Sequence, residues 1–220
     1  MSEIVTKTYP TPPINEKELL RYFGCKTTEK AALDLLKSCI KESENVFSFK
    51  VCYRQLPITR YENTCDFGVF KAESVSLCKR LEGCESAIVF VASVGLGIDR
   101  LIEKYGRISP SKALAFQAIG TERIETLCDV FCKDLEKGYG TNLTPRFGVG
   151  YGDLALETQK DIFAALECER KLGVYLNGSL LMSPSKSVTA FVGIGKNVKK
   201  IPKDKCTDCV QTDCAFRREV

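Results

Sequence analysis

Arg146-Phe-Gly-Val-Gly-Tyr151 is the stretch on which this chain turns: a short strand-like run in which glycines alternate at Gly148, Gly150 and Gly152. Glycine admits a backbone or ligand where a Cβ would collide, and it costs conformational entropy, so three within five residues call for a reason. Arg146 offers a planar fork that grips a carboxylate, and Tyr151 an apolar face with a polar tip. Two readings fit. One is a cradle for a zwitterionic, partly aromatic small molecule; the other is a glycine-rich bend between a strand and a helix, with Arg146 solvated and Tyr151 packed.

Outward from this run the periodicity defines the elements. Residues 1–13 carry Tyr9-Pro-Thr-Pro-Pro13 and read as an extended lead-in. A helix begins at Asn15, with Glu18 three residues on in the manner of a capping box, and stops at Gly24. Thr28 caps a second helix whose apolar positions Ala32, Leu35, Leu36, Cys39 and Ile40 follow the 3.6-residue period. From Val46 to Arg54 the period becomes two, with Phe47, Phe49, Val51 and Tyr53 on one side, as in a half-buried strand. A strand is expected near 65–70 and a short helix over 73–81. Ala87–Ser93 is a continuous apolar strand that runs into Gly95-Leu-Gly97 and a helix over about 98–104. A second helix follows Pro110, with Ile124, Leu127, Cys128, Phe131 and Leu135 on one stripe. After the glycine run come a helix over about 156–172 and strands near 174–176, 180–182 and 187–192. Helices and strands mix without strict βαβ alternation, so the class is α+β, with a largely antiparallel sheet and flanking helices. The organisation read from this is a lead-in over 1–13, one domain over 14–195 and a basic, cysteine-bearing tail over 196–220.

At 220 residues, 44% hydrophobic and 27% charged, the chain can bury a substantial core. Its net charge of +4 is too modest to imply nucleic-acid binding, and Lys196 to Lys205, with five lysines, reads as a solvated segment. The first residues lack an apolar core and the longest apolar run, near Ala87 to Ile98, is too short for a bilayer, so the expected location is the cytoplasm with no membrane association. Histidine is absent, which excludes Ser-His-Asp and Cys-His mechanisms.

The twelve cysteines then read as reduced thiols or metal ligands. Cys128 and Cys132, four apart on a helix, read as core or boundary thiols, because free cysteine behaves as a small hydrophobe. Cys206, Cys209 and Cys214 sit in a polar tail with no core to fill, and their close spacing suits zinc or an iron–sulfur cluster completed by a ligand from elsewhere. A reduced or redox-labile tail is the other reading. Gly95-x-Gly97 is similar to the start of a dinucleotide fingerprint, but Arg100 holds the place of the third glycine, which leaves a tight strand-to-helix turn.

Read in register, Arg146-Phe-Gly-Val-Gly-Tyr151 is followed by Glu157-Thr-Gln-Lys160, by Leu166-Glu-Cys-Glu169-Arg-Lys-Leu-Gly173 and by Leu181-Met182-Ser-Pro184-Ser-Lys-Ser187-Val188. That order resembles the S-adenosylmethionine-binding activation domain of cobalamin-dependent methionine synthase, most specifically over 145–191. The first helix and the cysteine tail resemble free-standing versions of it. The resemblance implies a reactivation role, in which S-adenosylmethionine and one electron restore methylcobalamin from inert cob(II)alamin. It implies that Arg146 holds the ligand carboxylate, that Gly148 and Gly150 expose backbone, that Tyr151 lines the same loop, and that an acidic residue on the preceding helix, Glu125 or Glu122, contributes.

There are departures. The family's proline-cysteine-proline stretch and histidine are replaced by Gly152-Asp-Leu-Ala-Leu156-Glu, and a later family tyrosine has no counterpart after Val192, so the adenosine half of the site is undefined. No corrinoid-binding motif with histidine exists here, so cobalamin would sit on a partner: a methionine synthase lacking its own activation domain, with flavodoxin or ferredoxin as electron donor. An alternative is an iron–sulfur or metal-binding electron-transfer or repair module for another corrinoid methyltransferase; a third is a binding module without chemistry.

Overall fold

The protein, represented by a computed structural model, is described over residues 2–24, 30–140 and 143–195. In chain order the elements are β1 (Val5–Thr8), α1 (Glu16–Phe23), α2 (Lys30–Ser43), β2 (Lys50–Pro57), β3 (Thr59–Arg60), β4 (Thr64–Asp66), β5 (Lys71–Glu73) and α3 (Val75–Arg80). They continue with β6 (Ser86–Ser93), α4 (Gly97–Ile108), α5 (Pro110–Tyr139), β7 (Phe147–Gly148), α6 (Thr158–Leu166), α7 (Cys168–Leu172), β8 (Tyr175–Leu176), β9 (Met182–Ser183) and β10 (Ser187–Ile194). The class is α+β, as the sequence pattern implied.

A five-stranded sheet ordered β1-β2-β6-β10-β7 forms the middle layer, every pairing antiparallel. Its two faces explain the unbroken apolar run of β6. Ile88, Phe90 and Ala92 point into one core with Leu19, Leu36, Ile98, Phe116 and Phe131 from α1, α2, α4 and α5. Ala87, Val89 and Val91 point into another with Leu77, Ile162, Leu166 and Cys168 from α3, α6 and α7, and Phe67 beside the small β3-β4-β5 sheet. A strand covered on both faces has no position left for a solvated side chain.

The same burial corrects the expectation for β2. Phe49 and Val51 face the first core as the alternation suggests, but Cys52 and Leu56 are fully packed in the second, so the strand is not half-solvated. It also begins later, at Lys50, than the pattern over 46–54 implied. The helix expected over 156–172 is divided at Glu167, whose left-handed φ of 50° ends α6 and starts α7. Within the lead-in, Val5–Thr8 is an edge strand on β2.

α1 is capped as expected: Asn15 accepts from Glu18 N, and Gly24 closes it at φ 70°. Gly97 satisfies packing, since a Cβ there would lie 2.2 Å from the Val46 carbonyl oxygen, and Gly95 turns at φ 82°. This is the tight-turn reading of Gly95-x-Gly97. Cys128 is fully buried and Cys132 packs against the same core, as core and boundary thiols. Thr28 and the tail cysteines lie outside the described residues.

Candidate functional site

β7 is the short edge of the sheet, with Phe147 opposite Phe191 and Gly148 opposite Ala190 on β10. Beyond it the chain folds back sharply. Gly150 N donates to Leu154 O at 3.1 Å, Leu154 N to Tyr151 O at 3.1 Å and Tyr151 N to Gly148 O at 3.4 Å. Gly150 at φ 83° and Gly152 at φ 60° occupy the left-handed region that a Cβ disfavours, so two of the three glycines are turn residues. Gly148 differs. Its backbone is ordinary, but a Cβ would lie 2.9 Å from Tyr151 Cδ2, so its hydrogen lets the Tyr151 ring lie against the strand. The packed tyrosine of the bend reading is not found: Tyr151 is 64% exposed and presents its outer face.

Asp153 fastens this loop to α3. Its carboxylate accepts from Ser74 Oγ at 2.5 Å, Val75 N at 2.7 Å and Ser76 N at 3.1 Å. The Ser74 hydroxyl first, then the Ser76 side chain and the two amides, hold this carboxyl well below the usual carboxylate range. The loop is therefore a fixed ledge.

Arg146 is not solvated either. Its Nη2 donates to Glu125 Oε2 at 3.1 Å and Asp129 Oδ1 at 2.9 Å, both on α5, and its side chain is only 18% exposed. Positions four apart on a helix share a face, so Thr121, Glu125 and Asp129 form one polar stripe of α5, of which Glu125 and Asp129 reach Arg146 beside β7. Tyr22 of α1 lies near it: burial, then the Glu125 charge, raises its phenol pKa. Arg146 Nη1 is buried and has no hydrogen-bond partner among the described residues. Two carboxylates thus flank one guanidinium, next to a donor without an acceptor among the described residues. Such a place suits a group carrying both a cation and a carboxylate.

The two acidic positions considered for α5 are placed differently. Glu122 is 1% exposed and fully engaged, accepting from Asn15 N at 2.8 Å, Thr126 Oγ1 at 2.6 Å and Arg123 Nε at 2.5 Å. Arg123, equally buried, donates to Pro12 O at 2.7 Å and Pro13 O at 3.1 Å. This pair secures the end of the lead-in and the start of α1, a structural role. Glu125 is the one that reaches the Arg146 region.

Arg146, Gly148, Gly150, Tyr151 and Glu125 are thus brought together at one sheet edge. Asp129, Thr121 and Asp153 were not singled out from sequence; the four-residue spacing of Thr121 and Asp129 about Glu125 was the available signal, whereas nothing local to Asp153 points to α3. Among the described residues no group of three or more cysteine, aspartate or glutamate side chains is placed to hold a metal. Cys206, Cys209 and Cys214 are outside those residues. Among the described residues, too, no helix is long and apolar enough to cross a membrane.

No family model matches the sequence, and no curated protein matches it. Solved structures do. One is a crystal structure of the MetH reactivation domain bound to AdoHcy, with a TM-score of 0.66 over 90% of this chain and 80% of that one, at 14% identity. The fold is that of the MetH reactivation domain. At this identity the likeness establishes architecture, and the role of each side chain rests on the geometry above.

Proposed function

We propose that the β7 edge binds S-adenosylmethionine and that the protein is a reactivation subunit, presenting that methyl donor to cob(II)alamin carried by a partner methionine synthase that lacks an activation domain. The observation that carries the reading is Arg146, whose buried Nη1 has no acceptor while Nη2 is shared by Glu125 and Asp129. In the proposed pose Nη1 donates to the ligand's α-carboxylate and Glu125 accepts from its α-ammonium. The glycine-exposed backbone of Gly148 and Gly150 and the face of Tyr151 border the sulfonium, which an aromatic face stabilises. The fold shared with a reactivation domain whose crystal structure contains AdoHcy supports the ligand class.

The corrin cobalt would supply the methyl-accepting chemistry. What this chain contributes is position: the loop pinned by Asp153 and the α5 stripe hold the donor so that its methyl group faces outward, in line with a docked acceptor. Positioning of this kind needs no general base, in accord with a chain that has no histidine.

The test is reductive methylation. With a cob(II)alamin-loaded corrinoid module, S-adenosylmethionine and a reduced flavodoxin or ferredoxin, the protein should yield methylcobalamin, read by its visible spectrum. A spectrum that changes no faster than without the protein contradicts the proposal. The electron-transfer alternative rests on the tail cysteines; a charge-transfer band lost in Cys209→Ser after anaerobic purification would favour it, and a colourless protein sinks it.

A further inference from the structure

Lys186 lies beside the α5 stripe and belongs to none of the interactions invoked so far. Its Nζ donates to Thr121 Oγ1 at 3.0 Å, and Lys186 forms no ion pair among the described residues. Asp99, the carboxylate whose charge it feels, is already taken by Ser185, which donates to it from its amide at 3.0 Å and from its hydroxyl. Burial lowers the ammonium's pKa. A partly buried ammonium with one neutral acceptor has two N–H groups left to place.

Its surroundings are built to hold it there. Val94 N donates to Lys186 O at 3.2 Å, and the next residue, Ser187, donates from its hydroxyl to Pro184 O at 2.8 Å, with its oxygen 2.9 Å from Ser93 Oγ. The lysine stem lies on Gly120, in the interior of the 30-residue helix α5. A Cβ on Gly120 would sit 3.0 Å from Lys186 Cγ and 3.1 Å from Lys186 Cε. Glycine inside a helix costs about 1 kcal/mol relative to alanine. Here it makes room for this side chain.

Thr121 is one helical turn before Glu125, a rise of about 6 Å. We infer that Lys186, oriented by Thr121, is the nucleoside-side contact of the site, its two remaining N–H groups donating to the vicinal 2′- and 3′-hydroxyls of the ligand's ribose. This rests on the proposed S-adenosylmethionine site and fills the half that the sequence left undefined. The spacing fits: in the proposed pose the amino-acid end lies at Arg146 and Glu125, and a sulfonium-linked ribose lies one short linker away, toward Thr121. A vicinal diol offers two acceptors on one side, which one ammonium can meet together.

The test is a cycle between protein and ligand, read by calorimetry. Wild type and Lys186→Met, which keeps the stem and loses the charge, are titrated with S-adenosylhomocysteine and with its 2′,3′-dideoxy analogue; thermal unfolding confirms that both proteins are folded. Lys186→Met should weaken S-adenosylhomocysteine at least about tenfold, since two hydrogen bonds from a charged donor are lost, and leave the dideoxy analogue within about twofold. Unchanged affinity for S-adenosylhomocysteine overturns the assignment of Lys186 while leaving the site itself standing. Equal weakening of both ligands contradicts the hydroxyl contact. Failure of wild type to bind S-adenosylhomocysteine overturns the proposed function, and this inference with it.

Discussion

Replacing Gly148 by alanine separates the proposed binding role of the glycine ledge from a folding role. The backbone at Gly148 is not in the left-handed region, so alanine brings no dihedral strain there. The new Cβ meets Tyr151 Cδ2 at 2.9 Å and Cε2 at 3.1 Å, with the Thr189 carbonyl oxygen at a comfortable 3.7 Å. The ring must move by several tenths of an ångström. Being 64% exposed, it can swing outward, and the expected loss of stability is below about 1 kcal/mol. Binding responds differently. If Tyr151 covers the sulfonium, its displacement should cost about 0.5 to 2 kcal/mol, roughly 2- to 30-fold in affinity for S-adenosylmethionine. Urea denaturation and calorimetry on Gly148→Ala, Tyr151→Ala and the double variant measure both quantities. In the Tyr151→Ala background the alanine at 148 should have little further effect on affinity, since the clash partner is gone. A destabilisation above about 3 kcal/mol, or full additivity of the two affinity losses, would refute the reasoning.

Glu122→Gln should destabilise by about 3 to 5 kcal/mol, because it strands the Arg123 charge in a site that is 2% exposed, and hydrogen exchange should rise over residues 5–23; a double Glu122→Met, Arg123→Met variant should recover much of the loss. Asp153 has a folded-state pKa depressed below the ordinary aspartate value of about 3.9, so its contribution is present above that value and is lost as the pH falls toward the depressed one. Asp153→Asn should therefore be less stable than wild type at pH 6, with the gap narrowing below pH 4; a gap independent of pH contradicts the anchoring of the loop by the carboxylate. Phe131→Ala should cost about 3 to 5 kcal/mol in denaturation, as the fully buried ring packs between Phe90 at 4.9 Å and Tyr53 at 5.1 Å.

Much of the architecture was legible from local signals. The apolar run of β6, the stripe of α5 and the caps at Asn15 and Gly24 each follow from residue chemistry acting over a few positions. The second core was not legible at Cys52, since a small apolar thiol in an alternating strand suits a solvated or a covered face, and the layer that covers it comes from α6 and α7, more than a hundred residues away. The break at Glu167 was hidden for another reason: glutamate favours helix, and its left-handed conformation is imposed by the turn between α6 and α7. At the site, the glycine run and Arg146 announced themselves by composition. Whether Glu122 or Glu125 lies beside Arg146 depended on helix phase, which the buried partnership of Glu122 with Arg123 and the chain at Pro12 and Pro13 fixes. Lys186 and Asp153 are ordinary in sequence and acquire meaning through Gly120 and through the start of α3.

The central claim is that Arg146 grips the carboxylate of S-adenosylmethionine at the β7 edge. Titration calorimetry of S-adenosylmethionine into wild type and Arg146→Ala, with the corrinoid module present, tests it most directly. Wild type should bind and the variant should lose about 2 to 4 kcal/mol, roughly 30- to 700-fold in affinity. Absence of binding by wild type, or equal binding by both proteins, would contradict the account.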